Sequence, residues 1–138
     1  MDFSAGISHE APNVGGFITI QANGTYDPTN HARFWNGKAC CDHNEMNSND
    51  KAYLVGLVDE AKANFNVDPE QVYAFGHSNG GLMAQILVCQ ENDTFKGMAG
   101  LSPNVIPGKC WETKATRVLL VSGTEDGGFV SRAVCECG

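Results

Sequence analysis

The chain has 138 residues, 42 % of them apolar, and a formal net charge of −7. That length accommodates one domain, expected to span residues 1–138, and the apolar content excludes a disordered composition. No run approaches the ~18 consecutive apolar residues needed to cross a bilayer, and the acidic balance argues against nucleic acid or anionic membranes as partners.

The opening residues Met1-Asp2-Phe3-Ser4 show no basic head followed by an apolar block, so no signal peptide is visible. Six cysteines (Cys40, Cys41, Cys89, Cys110, Cys135 and Cys137) nevertheless point to an oxidising, extracellular setting. If all paired, about 15 connectivities would be open. Adjacent Cys40 and Cys41 are expected to seek different partners. Two Asn-x-Thr sequons, at Asn23 and Asn92, are compatible with secretion. His31, Cys40, Cys41 and His43 form a sulfur and imidazole cluster, but neighbouring cysteines do not match the separation of paired zinc ligands, so no metal is expected.

In chain order, Gly16-Phe17-Ile18-Thr19-Ile20 is β-branched and bounded by turn residues, which predicts a strand. Residues 21–49, rich in Asn, Asp, Gly, Thr and Pro, predict a long loop around Phe34 and Trp35. These two aromatics suit either an aromatic-acid pocket or buried anchoring of the loop. Ser48 and Asn49 are candidate caps for a helix from Asp50 to about Phe65. Its apolar positions Tyr53, Leu54, Leu57, Val58, Ala61 and Phe65 predict one buried stripe. A turn at 66–71 precedes a buried strand, Val72–Phe75, that runs into Gly76. Leu82 to Cys89 is apolar almost all round, as in a helix packed inside a domain. Strands follow at 96–101 and 117–122. Alternating strands and helices imply an α/β fold with a parallel sheet flanked by helices, its functional groups beyond the carboxyl ends of the strands.

Gly76-His77-Ser78-Asn79-Gly80 fits G-x-S-x-G between a predicted strand and a predicted helix. In a nucleophile elbow the chain reverses sharply with the serine at its apex, in a strained backbone conformation. Side chains two positions to either side are expected to strike neighbouring backbone, hence Gly76 and Gly80. Ser78 is then the candidate nucleophile, and the Asn79 backbone N–H faces a developing oxyanion. The alternative is a Gly-rich turn with an incidental serine. In hydrolases with this elbow the order along the chain is serine, acid, histidine. Asp126, beyond the strand at 117–122, stands in the acid's place, with Glu125 as the fallback and a plain turn aspartate as the alternative. The four histidines, His9, His31, His43 and His77, all precede Ser78, and none follows Asp126. No further strand and helix follow Asp126, and no His-Gly-type loop near the amino end supplies a second oxyanion N–H. The expectation is therefore an α/β-hydrolase catalytic domain that is partial, truncated at both ends and lacking its histidine.

Several segments together resemble secreted esterases of the polyhydroxybutyrate depolymerase and feruloyl esterase type. They are Gly16-Phe17-Ile18, Trp35-Asn36 with Cys40-Cys41, Asp50 to Leu57, Val67-Asp68, Val72-Tyr73, Gly76 to Gly81 and Gly123 to Asp126. The Ser-Asn-Gly-Gly elbow and the Cys-Cys loop look more like this group than like peptidases with a Ser-Tyr-Gly-Gly elbow. The chain departs from the group's pattern at Asn49, at Gln21 to Gly24 and after Asp126. The resemblance implies hydrolysis of carboxylic esters from plant cell walls or polyesters, without metal or organic cofactor. It also implies that Cys89 pairs with Cys40 or Cys41. Two other classes stay open: a non-catalytic binding protein on a hydrolase scaffold, and another serine hydrolase such as a peptidase or acyltransferase.

Overall fold

The computed structural model describes residues 16–37, 46–103, 114 and 116–125. Its elements are β1 (Thr25–Asp27), β2 (Ala32–Phe34), α1 (Asp50–Asn64), a 3₁₀ turn (Pro69–Gln71), β3 (Tyr73–His77), α2 (Asn79–Gln90), β4 (Gly97–Leu101) and β5 (Arg117–Val121). β3, β4 and β5 form a parallel sheet in that order, with Tyr73 beside Gly97 and Gly97 beside Arg117. Parallel neighbours need a crossover, and α2 supplies it between β3 and β4. The carboxyl ends of all three strands therefore lie along one edge of the sheet.

α2 is buried from Gly81 to Val88, as its all-round apolarity requires. It covers the sheet face that carries Ala74, Gly76, Met98 and Gly100, whose small residues let the helix approach closely. Val58, Val72 and Phe95 complete the core around Met83, Ile86 and Leu87. Fully burying side chains of this size stabilises a fold by about 1.5–3 kcal/mol each. The opposite sheet face is open. Tyr73 and Phe75 are 47 % and 46 % exposed, so β3 is buried on one side only, where the sequence predicts full burial. β5 is exposed along its whole length, because α2 reaches only across β3 and β4.

α1 begins at Asp50, capped by the Asn49 side chain, which accepts from the Ala52 N–H at 3.3 Å. Its predicted stripe is buried only at Val58, with Leu54 and Val55 packed against the core. Tyr53 and Phe65 stay 45 % and 60 % exposed, since the helix meets the core along a narrow line.

Two strand expectations are corrected. Gly16–Ile20 takes part in no ladder among the described residues, and Phe17 and Ile18 are half exposed. β-propensity alone does not make a strand, because a ladder also needs a neighbouring strand. Conversely, the predicted loop 21–49 contains the antiparallel hairpin β1–β2, with Tyr26 beside Arg33. Its arms are too short to show alternation in sequence, and a buried carboxylate closes it. Asp27 accepts from the Thr29 N–H at 2.8 Å, the Asn30 N–H at 3.3 Å and the Asn30 side-chain amide at 2.6 Å. Gly24 completes the motif, because a β-carbon there would lie 2.3 Å from the Phe34 carbonyl oxygen.

An exposed ion pair of Lys114 with Asp93 ties the approach to β5 to the segment after α2. The hydrogen bond and charge of Lys114 hold the Asp93 carboxyl below its ordinary value. The pair's contribution is thus present near neutral pH and is lost as pH falls through that depressed value.

Asp50 joins the loop to α1. Only 5 % exposed, it accepts from the Asn36 N–H at 2.6 Å, the Ser48 hydroxyl at 3.1 Å and the Thr25 hydroxyl at 3.4 Å. Asp50→Ala leaves these donors unsatisfied and is expected to cost about 2–3 kcal/mol, read as a lower urea midpoint with unchanged m. A midpoint equal to wild type would show that the carboxylate is not what holds the loop.

Candidate active site

The turn between β3 and α2 carries the G-x-S-x-G segment. Ser78 sits at its apex with φ 51° and ψ −119°, a region L-residues avoid, and its side chain makes no capping bond to the helix. The surrounding backbone holds it there. The Ser78 N–H donates to the Leu101 carbonyl at 2.9 Å, and the Ser78 carbonyl accepts from the Leu82 N–H at 3.1 Å. One step further across the sheet edge, the Ser102 N–H donates to the Val121 carbonyl at 2.7 Å. Ser78 is half buried at this edge, and the Asn79 N–H lies in the first turn of α2, at the positive end of the helix dipole.

The two elbow glycines serve different ends. A β-carbon at Gly76 would lie 2.2 Å from the Gly80 carbonyl carbon and oxygen, which forbids any side chain there. Among the described residues a β-carbon at Gly80 would meet only the Trp35 ring, at 3.7 Å, an ordinary contact. The expected collision is therefore one-sided, because α2 starts over Gly76 while Gly80 already faces away from β3. Gly81, by contrast, is crowded by Pro103, whose Cβ would lie 2.9 Å from a side chain at that position.

The sequence pattern does not place the loop that adjoins the elbow. The Trp35 N–H donates to the Asn79 side-chain oxygen at 2.6 Å, and the Asn79 side-chain amide donates to the Trp35 carbonyl at 2.9 Å. Gly37 follows so closely that a β-carbon there would lie 2.4 Å from Leu82 Cδ2. Asn79 occupies the variable position of the motif, which pattern matching ignores; its amide chemistry was the available signal.

Glu125 is exposed four residues beyond β5, at the same end of the sheet as Ser78, while Asp126 lies outside the described residues. His31 stands in the hairpin turn, its Nδ1 3.2 Å from the Tyr26 hydroxyl, and His77 lies on the exposed side of β3 with Tyr73 and Phe75. His9, His43, Cys40 and Cys41 lie outside the described residues, among which no cluster of three His, Cys, Asp or Glu side chains suits a metal. Cys89, near the carboxyl end of α2, is disulfide-bonded.

The family model described as the prolyl oligopeptidase family matches residues 15–111, more than half of the chain and the whole of the elbow. The chain belongs to the prolyl oligopeptidase family. Its parallel sheet with flanking helices is accordingly an α/β-hydrolase fold. Among curated proteins the chain is similar to NocK of Nocardia uniformis subsp. tsuyamanensis, which carries the name of an esterase. The two are 34 % identical over 79 residues, which is 56 % of this chain and 23 % of that protein. It is also similar to feruloyl esterase B of Piromyces equi, 28 % identical over 116 residues, or 80 % of this chain and 20 % of that protein. The chain thus spans about a fifth to a quarter of the length of these curated relatives. Membership of the prolyl oligopeptidase family and two esterase relatives agree with the coarser part of the sequence resemblance.

The asymmetry of the glycines is directly measurable. Gly76→Ala forces backbone apart and is expected to cost about 4 kcal/mol or more, whereas Gly80→Ala stays within about 1 kcal/mol of wild type. Urea unfolding of both variants checks this, and equal losses would contradict the one-sided geometry.

Proposed function

We propose that this chain carries the nucleophile-bearing part of a secreted serine hydrolase acting on carboxylic esters. The observation that carries the reading is the backbone of Ser78, held at φ 51° at the apex of a strand-to-helix turn. Strain of this kind is retained where it presents a reactive side chain. Ser78 Oγ would attack the ester carbonyl as its proton passes to a histidine, with the Asn79 N–H donating a hydrogen bond to the developing oxyanion as half of an oxyanion hole. The carbonyl would reform as the alkoxide leaves with a proton delivered by that histidine, and water would release the acid from the acyl-enzyme. Asp126 is the proposed partner of that histidine. In the serine, acid, histidine order of these hydrolases His9, His31, His43 and His77 all come too early for the role, so the reading places the histidine outside this sequence. Feruloyl esters of plant cell walls are the favoured substrates, supported by the likeness to feruloyl esterase B; polyesters of the polyhydroxybutyrate kind rest on the sequence resemblance alone. The proposed partner of Cys89 is Cys40 or Cys41, which would brace the loop before α1. Non-reducing peptide mapping is expected to recover a Cys89 peptide joined to the peptide holding those two cysteines, and recovery of Cys89 with Cys110 would refute it.

A second reading, peptide hydrolysis, is favoured by the description of the matching family. The two chemistries share the elbow and differ in the leaving group.

Fluorophosphonate labelling of the full-length protein and its Ser78→Ala variant tests the nucleophile. Labelling is expected in the former and not in the latter, with kcat/KM on esters lowered by about 10⁵-fold or more. A folded wild-type protein that takes no label would refute the hydrolase reading. A panel of hydroxycinnamoyl esters, short aliphatic esters and prolyl peptides then separates esterase from peptidase.

A further inference from the structure

We infer that the Trp35 indole is the specificity-determining wall of the acyl site, and that the Asn79 carboxamide is the positioning residue that holds it there. This inference rests on the reading of Ser78 as nucleophile.

The geometry begins with a match of functional groups. A primary carboxamide offers one acceptor oxygen and N–H donors on one planar group, so it can satisfy both the N–H and the C=O of a single peptide residue, as a neighbouring strand would. Asn79 does this to Trp35 at 2.6 and 2.9 Å. A carboxylate, which lacks the donor, does not reproduce both bonds. The residue that follows Ser78 thus ties the nucleophile turn to a loop 44 positions earlier in the chain.

Further contacts fix Asn36 and Gly37 beside Trp35. The Asn36 N–H donates to buried Asp50, the Asn36 side-chain amide donates to the Ser48 carbonyl at 3.1 Å, and Gly37 lies on Leu82. With its backbone clamped on both sides, Trp35 has only its side-chain torsions left. Its ring lies over Gly80, where Nε1 and Cδ1 would be 3.7 and 3.8 Å from a β-carbon. Gly80 is two residues from Ser78, and Trp35 is only half buried; the proposed wall is the open part of its ring. Its neighbour Phe34 differs: at 7 % exposure it is a loop anchor. A clamped, half-open indole beside an acylating serine suits a planar aromatic acyl group, which stacks on it, better than a short aliphatic one.

The test uses the full-length protein and two methyl esters with the same leaving group, methyl ferulate and methyl butyrate. Trp35→Ala is expected to lower the ratio of kcat/KM for ferulate over butyrate about tenfold, chiefly through KM, and Trp35→Phe to retain most of it. Asn79→Ala is expected to lower the same ratio in the native background and to change it no further in the Trp35→Ala background. A folded Trp35→Ala protein with an unchanged ratio would overturn the wall. An equal effect of Asn79→Ala in both backgrounds would overturn its positioning role. If Asn79→Ala fails to fold, Asn79→Asp, which keeps the acceptor and loses the donor, takes its place in the cycle. Absence of Ser78-dependent labelling would remove the hydrolase reading and this inference together. Labelling with an unaltered ratio would remove this inference alone.

Discussion

Everything near Ser78 depends on how closely the first turn of α2 approaches the end of β3. The carbonyl of Gly80 stands where a β-carbon of residue 76 would be, 2.2 Å away, so the two elements can meet only if that position is glycine. The approach is what compels the chain to reverse in two residues, and the reversal is what places Ser78 in its left-handed conformation. Burial of α2 supplies the compensating free energy. Eight consecutive residues, Gly81 to Val88, are removed from solvent, and that apolar burial offsets a few kcal/mol of backbone strain. A less apolar helix would relax the turn and lose the geometry at its apex.

On the other side of the elbow, polar side chains take over the work that ladders perform in the sheet. Asp27 closes the hairpin turn, Asp50 holds Asn36, and Asn79 holds Trp35, each by satisfying backbone N–H groups that no strand or helix satisfies. Buried backbone donors need such partners, and an irregular segment must find them in side chains. The segment from Gly24 to Gly37 is therefore ordered without being part of the sheet. The loop is thereby registered directly on the elbow through Asn79.

Much of the sheet and the elbow was legible in the sequence. β3, β4, β5 and both helices fall where apolar periodicity and turn residues put them, since each is specified by its own local pattern. Gly76 and Ser78 were legible because a sharp strand-to-helix reversal admits few residue types. The hairpin was not, because three-residue arms carry too little alternation and Asp27 looks like any turn aspartate. Gly16–Ile20 misled for the opposite reason: its residues favour a strand, but pairing is a property of neighbours.

The sequence by itself determined the α/β order of elements, the elbow and the identity of its serine, because these follow from local propensity and from steric rules that act within a few residues. Only the tertiary structure decided that Trp35 lies over Gly80, that Gly81 rather than Gly80 is crowded, and that one face of β3 is covered while the other is open. Those outcomes depend on contacts between segments tens of residues apart, such as Asn79 with Trp35 and Gly81 with Pro103. Their chemistry is written in the sequence, but their meeting is set by the packing of α2 on the sheet.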